Sequence, residues 1–290
     1  MRIVGVRRPR DGSDVEVAAL DEHHDTVTLI ASLEDFWTDP AGHLSRRPAG
    51  PTLATADVRQ VPPVLPDARV LCIGLNYHDH AAEGSYRDQT LPPYPTLFAR
   101  WTQSLTVGGT EVPVPANEDG LDWEGEVAAW VGAPLVDASP EEALAAVIGY
   151  SAFNDLTARI AQKRTSQWTL GKNADRSGPL GPIVPAGEVG DLRQGLRLQT
   201  RVNGRTVQDA RTDQMMYTVG ETLSQISHTL SLRPGDLLAT GTPAGVGYAR
   251  TPPQLLQPGD TVEVEIERLG VLRNAVVGND RRFATATTKL

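Results

Sequence analysis

The stretch Leu121-Asp-Trp-Glu-Gly-Glu-Val-Ala-Ala-Trp-Val131 constrains this chain more than any other. Apolar and acidic residues alternate through it as in a half-buried strand, whose side chains point to opposite faces in turn, so Asp122, Glu124 and Glu126 share one face. Neighbouring carboxylates on a pleated surface repel one another, and the arrangement is costly unless positive charge lies between them. Two readings stay open: the wet face of an antiparallel strand, or oxygen ligands for a hard divalent cation such as Mg²⁺, Mn²⁺ or Ca²⁺ rather than zinc. A mononuclear site needs a third carboxylate from elsewhere. Asp155, closing the strand-like run Tyr150-Ser-Ala-Phe-Asn-Asp155, is the candidate.

With 290 residues, 40% of them hydrophobic, the chain can bury a large core, and one large domain with a smaller appendage is expected. The formal charge of −9 argues against a nucleic-acid or anionic-membrane binder while leaving small anionic substrates open. Cys72 is the sole cysteine, so no intramolecular disulfide forms, which fits a reducing cytoplasm; its flanks Val70-Leu71 and Ile73 make it a small buried hydrophobe. The first residues lack an apolar signal region, and no apolar run approaches the roughly 18 to 20 residues of a membrane span, so a cytoplasmic location is expected. Of 27 basic residues only Lys163, Lys172 and Lys289 are lysines, which sets each against the habit of the chain. Lys172, within Gln167-Trp-Thr-Leu-Gly-Lys172-Asn-Ala-Asp175, is the one expected to act in a site.

Along the chain, Val15, Val17 and Ala19, then Val27 and Leu29, alternate about a turn and read as a hairpin; Ser32 with Asp35 caps a short helix. Prolines at 40, 48, 51, 62, 63 and 66 mark the boundary of a small N-terminal domain, 1–65, from a second domain, 66–290. His23, His24 and His43 read as surface residues. Val70-Leu-Cys-Ile73 is a short buried strand leading to His80 and Glu83, one helical turn apart. A carboxylate beside an imidazole orients it and raises its basicity, so this pair either activates water or is an exposed His/Glu pair at a helix start. Residues 84–95, with Tyr86, Tyr94 and three prolines, read as a lid.

Ser139-Pro-Glu-Glu142 opens a helix running to Ile148 and ended by Gly149. Asn203-Gly204 is a hairpin turn, and Val219, Leu223, Ile226 and Leu230 form the apolar face of a helix with His228 at its wet end. The loop Gly241-Thr-Pro-Ala-Gly-Val-Gly247 lacks the Lys-Ser/Thr ending of a phosphate cradle, but its N–H groups and Thr242 suit a carboxylate. Glu263, Glu265 and Glu267 form a second acidic alternation, read as an edge or solvent-facing strand.

Together, Gly74-Leu-Asn-Tyr-x-x-His-Ala-x-Glu83, Asp122-Trp-Glu-x-Glu126, Gly149-Tyr-x-x-x-Asn-Asp155 with Arg159 and Gln162, Gly171-Lys172, Gly178-Pro-x-Gly-Pro182, Asn203-Gly204, and Pro234-Gly-Asp236 with Gly241-Thr-Pro-x-Gly-Val-Gly247 resemble the fumarylacetoacetate hydrolase family, in order, over roughly residues 66 to 275. The resemblance implies a mostly β, α+β fold: a C-terminal domain of twisted mixed sheets around a metal site, preceded by a small N-terminal α/β domain, assembled as a homodimer. It implies Mg²⁺ or Mn²⁺ (with Ca²⁺ a possible substitute in crystals) on Glu124, Glu126 and Asp155. His80 with Glu83 would activate water, Lys172 would hold substrate charge, and Gln162, Gly241 and Thr242 would position a small anionic keto acid. The implied reaction is C–C hydrolysis of a 2,4-diketo acid of the acylpyruvate or fumarylpyruvate kind through a stabilised enolate, with oxaloacetate-type decarboxylation or keto–enol isomerisation as alternatives.

The chain departs from the family pattern at Ile160, where an aspartate is usual, and at Asn173-Ala-Asp-Arg176, where Ser-Phe-Asp-Thr is usual. Arg176 beside Lys172 reads as an added carboxylate clamp favouring a dianion. The same departures leave open a catalytically silent relative that binds a keto acid or serves in assembly.

Overall fold

The computed structural model describes residues 1–9, 14–83 and 93–279. Its body is an eight-stranded mixed sheet in the order Thr96–Arg100, Val70–Gly74, Leu237–Ala239, Gly125–Val131, Val147–Asn154, Gly178–Leu180, Leu105–Val107, with Val184–Pro185 paired onto Val147–Asn154. At its centre Gly125–Val131 runs antiparallel to Val147–Asn154, with Gly125 opposite Asn154 and Ala129 opposite Tyr150. The register brings Glu124 and Asp155 to the same end, where the Asp155 N–H donates to the Glu124 carbonyl at 2.9 Å.

The alternation in this strand is real, but the strand is not half-buried: all seven residues of Gly125–Val131 are buried. Val127, Ala129 and Val131 pack into one apolar cluster, and Ala128 and Trp130 into another on the opposite face. A layer on each side leaves no wet face, so the acidic residues at the strand's start are buried too.

One covering layer is a five-stranded sheet in the order Thr52–Ala54, Thr26–Ser32, Glu16–Asp21, Arg2–Arg7, Arg59–Val61. The proline-rich stretch 40–66, expected only as a boundary, supplies both edge strands of this sheet, where missing N–H donors are tolerated. Ser32 accepts the Asp35 N–H at 3.1 Å and caps Leu33–Thr38. Trp37 of that helix stacks on Trp130 with ring centres 5.5 Å apart, and Ile3 and Ile183 exchange backbone bonds of 2.8 Å. Cys72 is buried in the shared cluster.

The other layer is a five-stranded sheet in the order Arg205–Arg211, Arg197–Val202, Thr261–Ile266, Gly270–Val277, Val112–Pro113. Asn203 and Gly204 both take positive φ, 50° and 77°, as a two-residue hairpin turn requires. Thr261–Ile266 was expected as an edge or solvent-facing strand; it is central, with Val262, Val264 and Ile266 buried. Its Glu263 and Glu265 do face outward, and Arg201 on the neighbouring strand meets them at 3.2 and 2.6 Å. Cross-strand pairing of opposite charges lets an acidic row sit mid-sheet.

The capping box on Ser139 forms, but Pro140–Ala145 ends early and Gly149 belongs to a strand instead of stopping a helix. Its lack of a side chain serves close packing: a Cβ there would stand 2.6 Å from the Val184 carbonyl oxygen. Thr218 caps Val219–Ser227 in a second capping box, with His228 at its exposed end. No helix among the described residues is long and apolar enough to cross a membrane. Residues 84–92 of the expected lid lie outside the described residues.

Candidate active site

The carboxyl end of the Val70–Gly74 strand, the start of Gly125–Val131 and the turns 159–172 and 241–249 surround a cavity of about 550 Å³. Glu124 and Glu126 line it, and Asp155, outside the lining, shares the Lys172 ammonium with Glu124. One carboxylate oxygen from each of the three lies within 4.8 Å of the others, and the residues are 4%, 1% and 0% exposed.

Burying three carboxylates requires compensation, and the surroundings supply part of it. The Lys172 ammonium donates to Glu124 Oε2 and Asp155 Oδ2 at 2.5 Å each. Arg159 Nη2 donates to Glu124 Oε1 at 2.6 Å and to Asp122 Oδ2 at 2.7 Å. Arg100 Nε donates to Asp155 Oδ1. Asp122 therefore does not join the three carboxylates; it anchors Arg159 and accepts the backbone N–H groups of Gly247 and Tyr248 at 2.7 and 3.2 Å.

The two strand glutamates are driven in opposite directions. Burial works to raise the Glu124 pKa, but the Lys172 and Arg159 cations overcome it and hold the group at about 2. For Glu126, burial and then the Asp155 and Glu124 charges push the carboxyl well above the usual range. Its donor is the Gly241 N–H at 2.9 Å, and among the described residues no cation pairs with it. Burial likewise opposes the Lys172 ammonium, yet Asp155 and Glu124 keep its pKa above that of an ordinary lysine. Three converging oxygen donors, one of them a buried carboxylate without a cationic partner, fit a hard divalent cation.

His80 lies on the cavity wall, carried by the short helix His78–Glu83 that follows the Val70–Gly74 strand. Its Nδ1 is 2.9 Å from Glu83 Oε1, and Glu83 Oε2 accepts the Gly245 N–H at 2.8 Å. With Nδ1 bonded to Glu83, Nε2 is the ring nitrogen not held by that carboxylate. Asn76 ties this turn to the body, donating to the Tyr217 and Thr240 carbonyls at 3.0 and 2.8 Å. Phe98 and Trp168 form an apolar wall, and a Cβ on Gly74 would stand 2.3 Å from the Trp168 ring.

The 241–247 loop does grip carboxylates, but they are the protein's own. The N–H groups of Gly241, Gly245 and Gly247 go to Glu126, Glu83 and Asp122. Thr242 lines the cavity while its hydroxyl donates to the Gly125 carbonyl at 3.0 Å and accepts from Gln208 at 2.8 Å. Gly241 and Thr242 thus shape the site with groups already bonded within the chain. Gln162 lines the cavity, and its side-chain oxygen accepts Arg159 Nη1 at 2.9 Å.

Arg176, expected in the site, is not part of the cavity lining among the described residues. Its Nη1 lies 3.3 Å from the Glu111 carbonyl oxygen, because the chain turns sharply after Asn173 with Arg176 at φ 56°. Replacing Arg176 with alanine should change kcat/KM by no more than about twofold in steady-state assays, the usual range for a substitution outside a site. Ile160, the other departure, is 40% exposed and also outside the lining.

Arg100 is the residue that the sequence reading missed. It is 2% exposed and also binds the Ser104 and Ser177 hydroxyls at 3.2 and 3.0 Å and the Leu156 carbonyl at 2.8 Å. Nothing in its local sequence separates it from 23 other arginines. Lys163 and Tyr248 also line the cavity, and for Lys163 a signal existed in the scarcity of lysine.

The profile described as "Fumarylacetoacetate (FAA) hydrolase C-terminal" matches residues 69–277. An oxaloacetate tautomerase of Bacillus subtilis is 37% identical over 215 residues, covering 73% of this chain and 70% of that protein. The crystal structure of 2-hydroxyhepta-2,4-diene-1,7-dioate isomerase from Mycobacterium marinum superposes with a TM-score of 0.74 at 32% identity, covering 96% of this chain and 99% of that one. A fumarylpyruvate hydrolase from Pseudomonas aeruginosa, in complex with Mn²⁺ and pyruvate, superposes with a TM-score of 0.67 at 33% identity over 76% of this chain and 92% of that one. The match over most of its length, together with the converging carboxylates, makes this chain a member of the fumarylacetoacetate hydrolase family of enzymes.

Proposed function

We propose that the protein is a divalent-metal-dependent keto–enol isomerase of 2-keto acids. The observation that carries this reading is the placement of His80, bonded to Glu83, on the wall of the cavity that Glu124 and Glu126 also line. Mg²⁺ or Mn²⁺ held by Glu124, Glu126 and Asp155 would supply a Lewis acid for the oxygen on which enolate charge develops. His80 Nε2 takes a proton from the carbon beside the ketone; the C–H electron pair becomes the carbon–carbon double bond, and a proton is returned at oxygen to give the enol. In reverse, His80 returns a proton to carbon. Glu83 fixes the imidazole tautomer and stabilises the imidazolium. Lys172 neutralises charge on the 2-keto carboxylate, and Gln162 positions it. The tautomerase and isomerase names of two relatives support this reading. Assembly as a homodimer belongs to the same proposal.

C–C hydrolysis of a 2,4-diketo acid is the second reading. The same imidazole can draw a proton from water, and a hydrolase relative is seen with Mn²⁺ and pyruvate. The two are separated by following enol-oxaloacetate and acetylpyruvate side by side by NMR, with Mg²⁺, Mn²⁺ or chelator. Isomerisation predicts metal-dependent ketonisation without cleavage; metal-dependent pyruvate and acetate from acetylpyruvate alone would establish the hydrolase.

A further inference from the structure

Among the described residues Arg159, Lys163 and Lys172 line the cavity, and the first and last of these are already matched by carboxylates. Arg159 pairs with Asp122 and Glu124, and Lys172 with Glu124 and Asp155. Lys163 differs: among the described residues no carboxylate pairs with it. Its ammonium lies 3.4 Å from the centre of the Tyr248 ring and against the Tyr248 hydroxyl. Burial, and then the Arg159 charge, pull its pKa below that of an ordinary lysine, as expected for a cation short of a counter-charge.

Arg159 is the common neighbour of the two ends of the cavity. Its guanidinium bonds Glu124 at 2.6 Å on one side, and its central carbon lies 5.7 Å from the Tyr248 ring on the other. Lys163, four residues on from Arg159, lines the same cavity and shares the Tyr248 ring with it. Arg159 already donates to Asp122, Glu124 and Gln162, whereas the contact of Lys163 among the described residues is the neutral Tyr248.

We propose that Lys163, held by Tyr248, binds the distal carboxylate of a 2-keto dicarboxylate whose 2-keto acid end lies at Glu124, Glu126 and Lys172. This deepens the reading of the cavity as a 2-keto acid site and rests on it. It gives to Lys163 the dianion preference that the sequence assigned to Arg176. Lys163 acts on specificity: it makes no bond to the reacting carbons and selects which acids are held with their 2-keto end in place.

The test is Lys163→Met, which keeps the length of the side chain and removes its charge. With Mg²⁺ present, the KM for oxaloacetate should rise about tenfold to a hundredfold, the scale of one lost charge-assisted bond, with kcat within about threefold. Inhibition by oxalate, which mimics the 2-keto acid end without a distal carboxylate, should be unchanged, and Lys163→Arg should restore most of the affinity. An unchanged KM for oxaloacetate in Lys163→Met would overturn the inference. So would equal weakening of oxalate and oxaloacetate, the mark of a structural role. If the wild-type protein neither turns over oxaloacetate nor is seen to bind oxalate by calorimetry, the underlying reading fails and the inference with it.

Discussion

Replacing His80 with alanine should lower kcat by roughly 10²- to 10⁴-fold, the usual contribution of a positioned general base, and leave the affinity for Mn²⁺ unchanged. The imidazole touches none of the three carboxylates; its contact is Glu83, which keeps its bond from the Gly245 N–H when the ring is gone. Steady-state kinetics beside calorimetric titration of Mn²⁺ would check both halves. A kcat within threefold of wild type would remove His80 from the chemistry, and a lost metal affinity would make it a structural support of the carboxylates.

Lys172→Met should destabilise the metal-free protein by roughly 3 kcal/mol, the low end of the cost of removing one partner from a buried ion pair. The low end applies because Glu124 keeps Arg159 and Asp155 keeps Arg100. Urea unfolding in chelator measures the loss, and Mn²⁺ should restore part of it, since a ligand bound only by the folded state stabilises by mass action. The pH dependence has a definite sign. Because Glu124 is held at about 2, below the ordinary 4.5, its stabilising contribution is complete above the ordinary value and is lost as pH falls toward 2. Without Lys172 that loss should begin at higher pH. Stability equal to wild type in chelator would mean that the ammonium does not compensate the buried charges.

The residues that approach one another through local spacing were legible in the sequence. Alternation placed Glu124 and Glu126 together, one helical turn placed His80 beside Glu83, and the antiparallel return of the chain placed Asp155 beside Glu124. Burial was not legible, because it depends on layers supplied by residues far away in the chain: the alternation that suggested a wet face belongs to a strand covered on both sides. The same reason hides Arg100, whose role comes from strand pairing that carries it to Asp155, 55 residues on. Arg176 shows the limit of adjacency in sequence, since side-by-side position with Lys172 says nothing of where a side chain goes once the backbone turns at a positive φ. For the 241–247 loop the chemistry was legible and the recipient was not: its N–H groups hold carboxylates belonging to the chain itself.

The most direct test of the account is the entry of deuterium at the carbon beside the ketone of oxaloacetate in D₂O, measured by NMR above the uncatalysed rate. Fast exchange is expected with Mg²⁺ or Mn²⁺, none above background with chelator, and loss of exchange in His80→Ala with metal present. Exchange that survives chelation or the loss of His80 would contradict it.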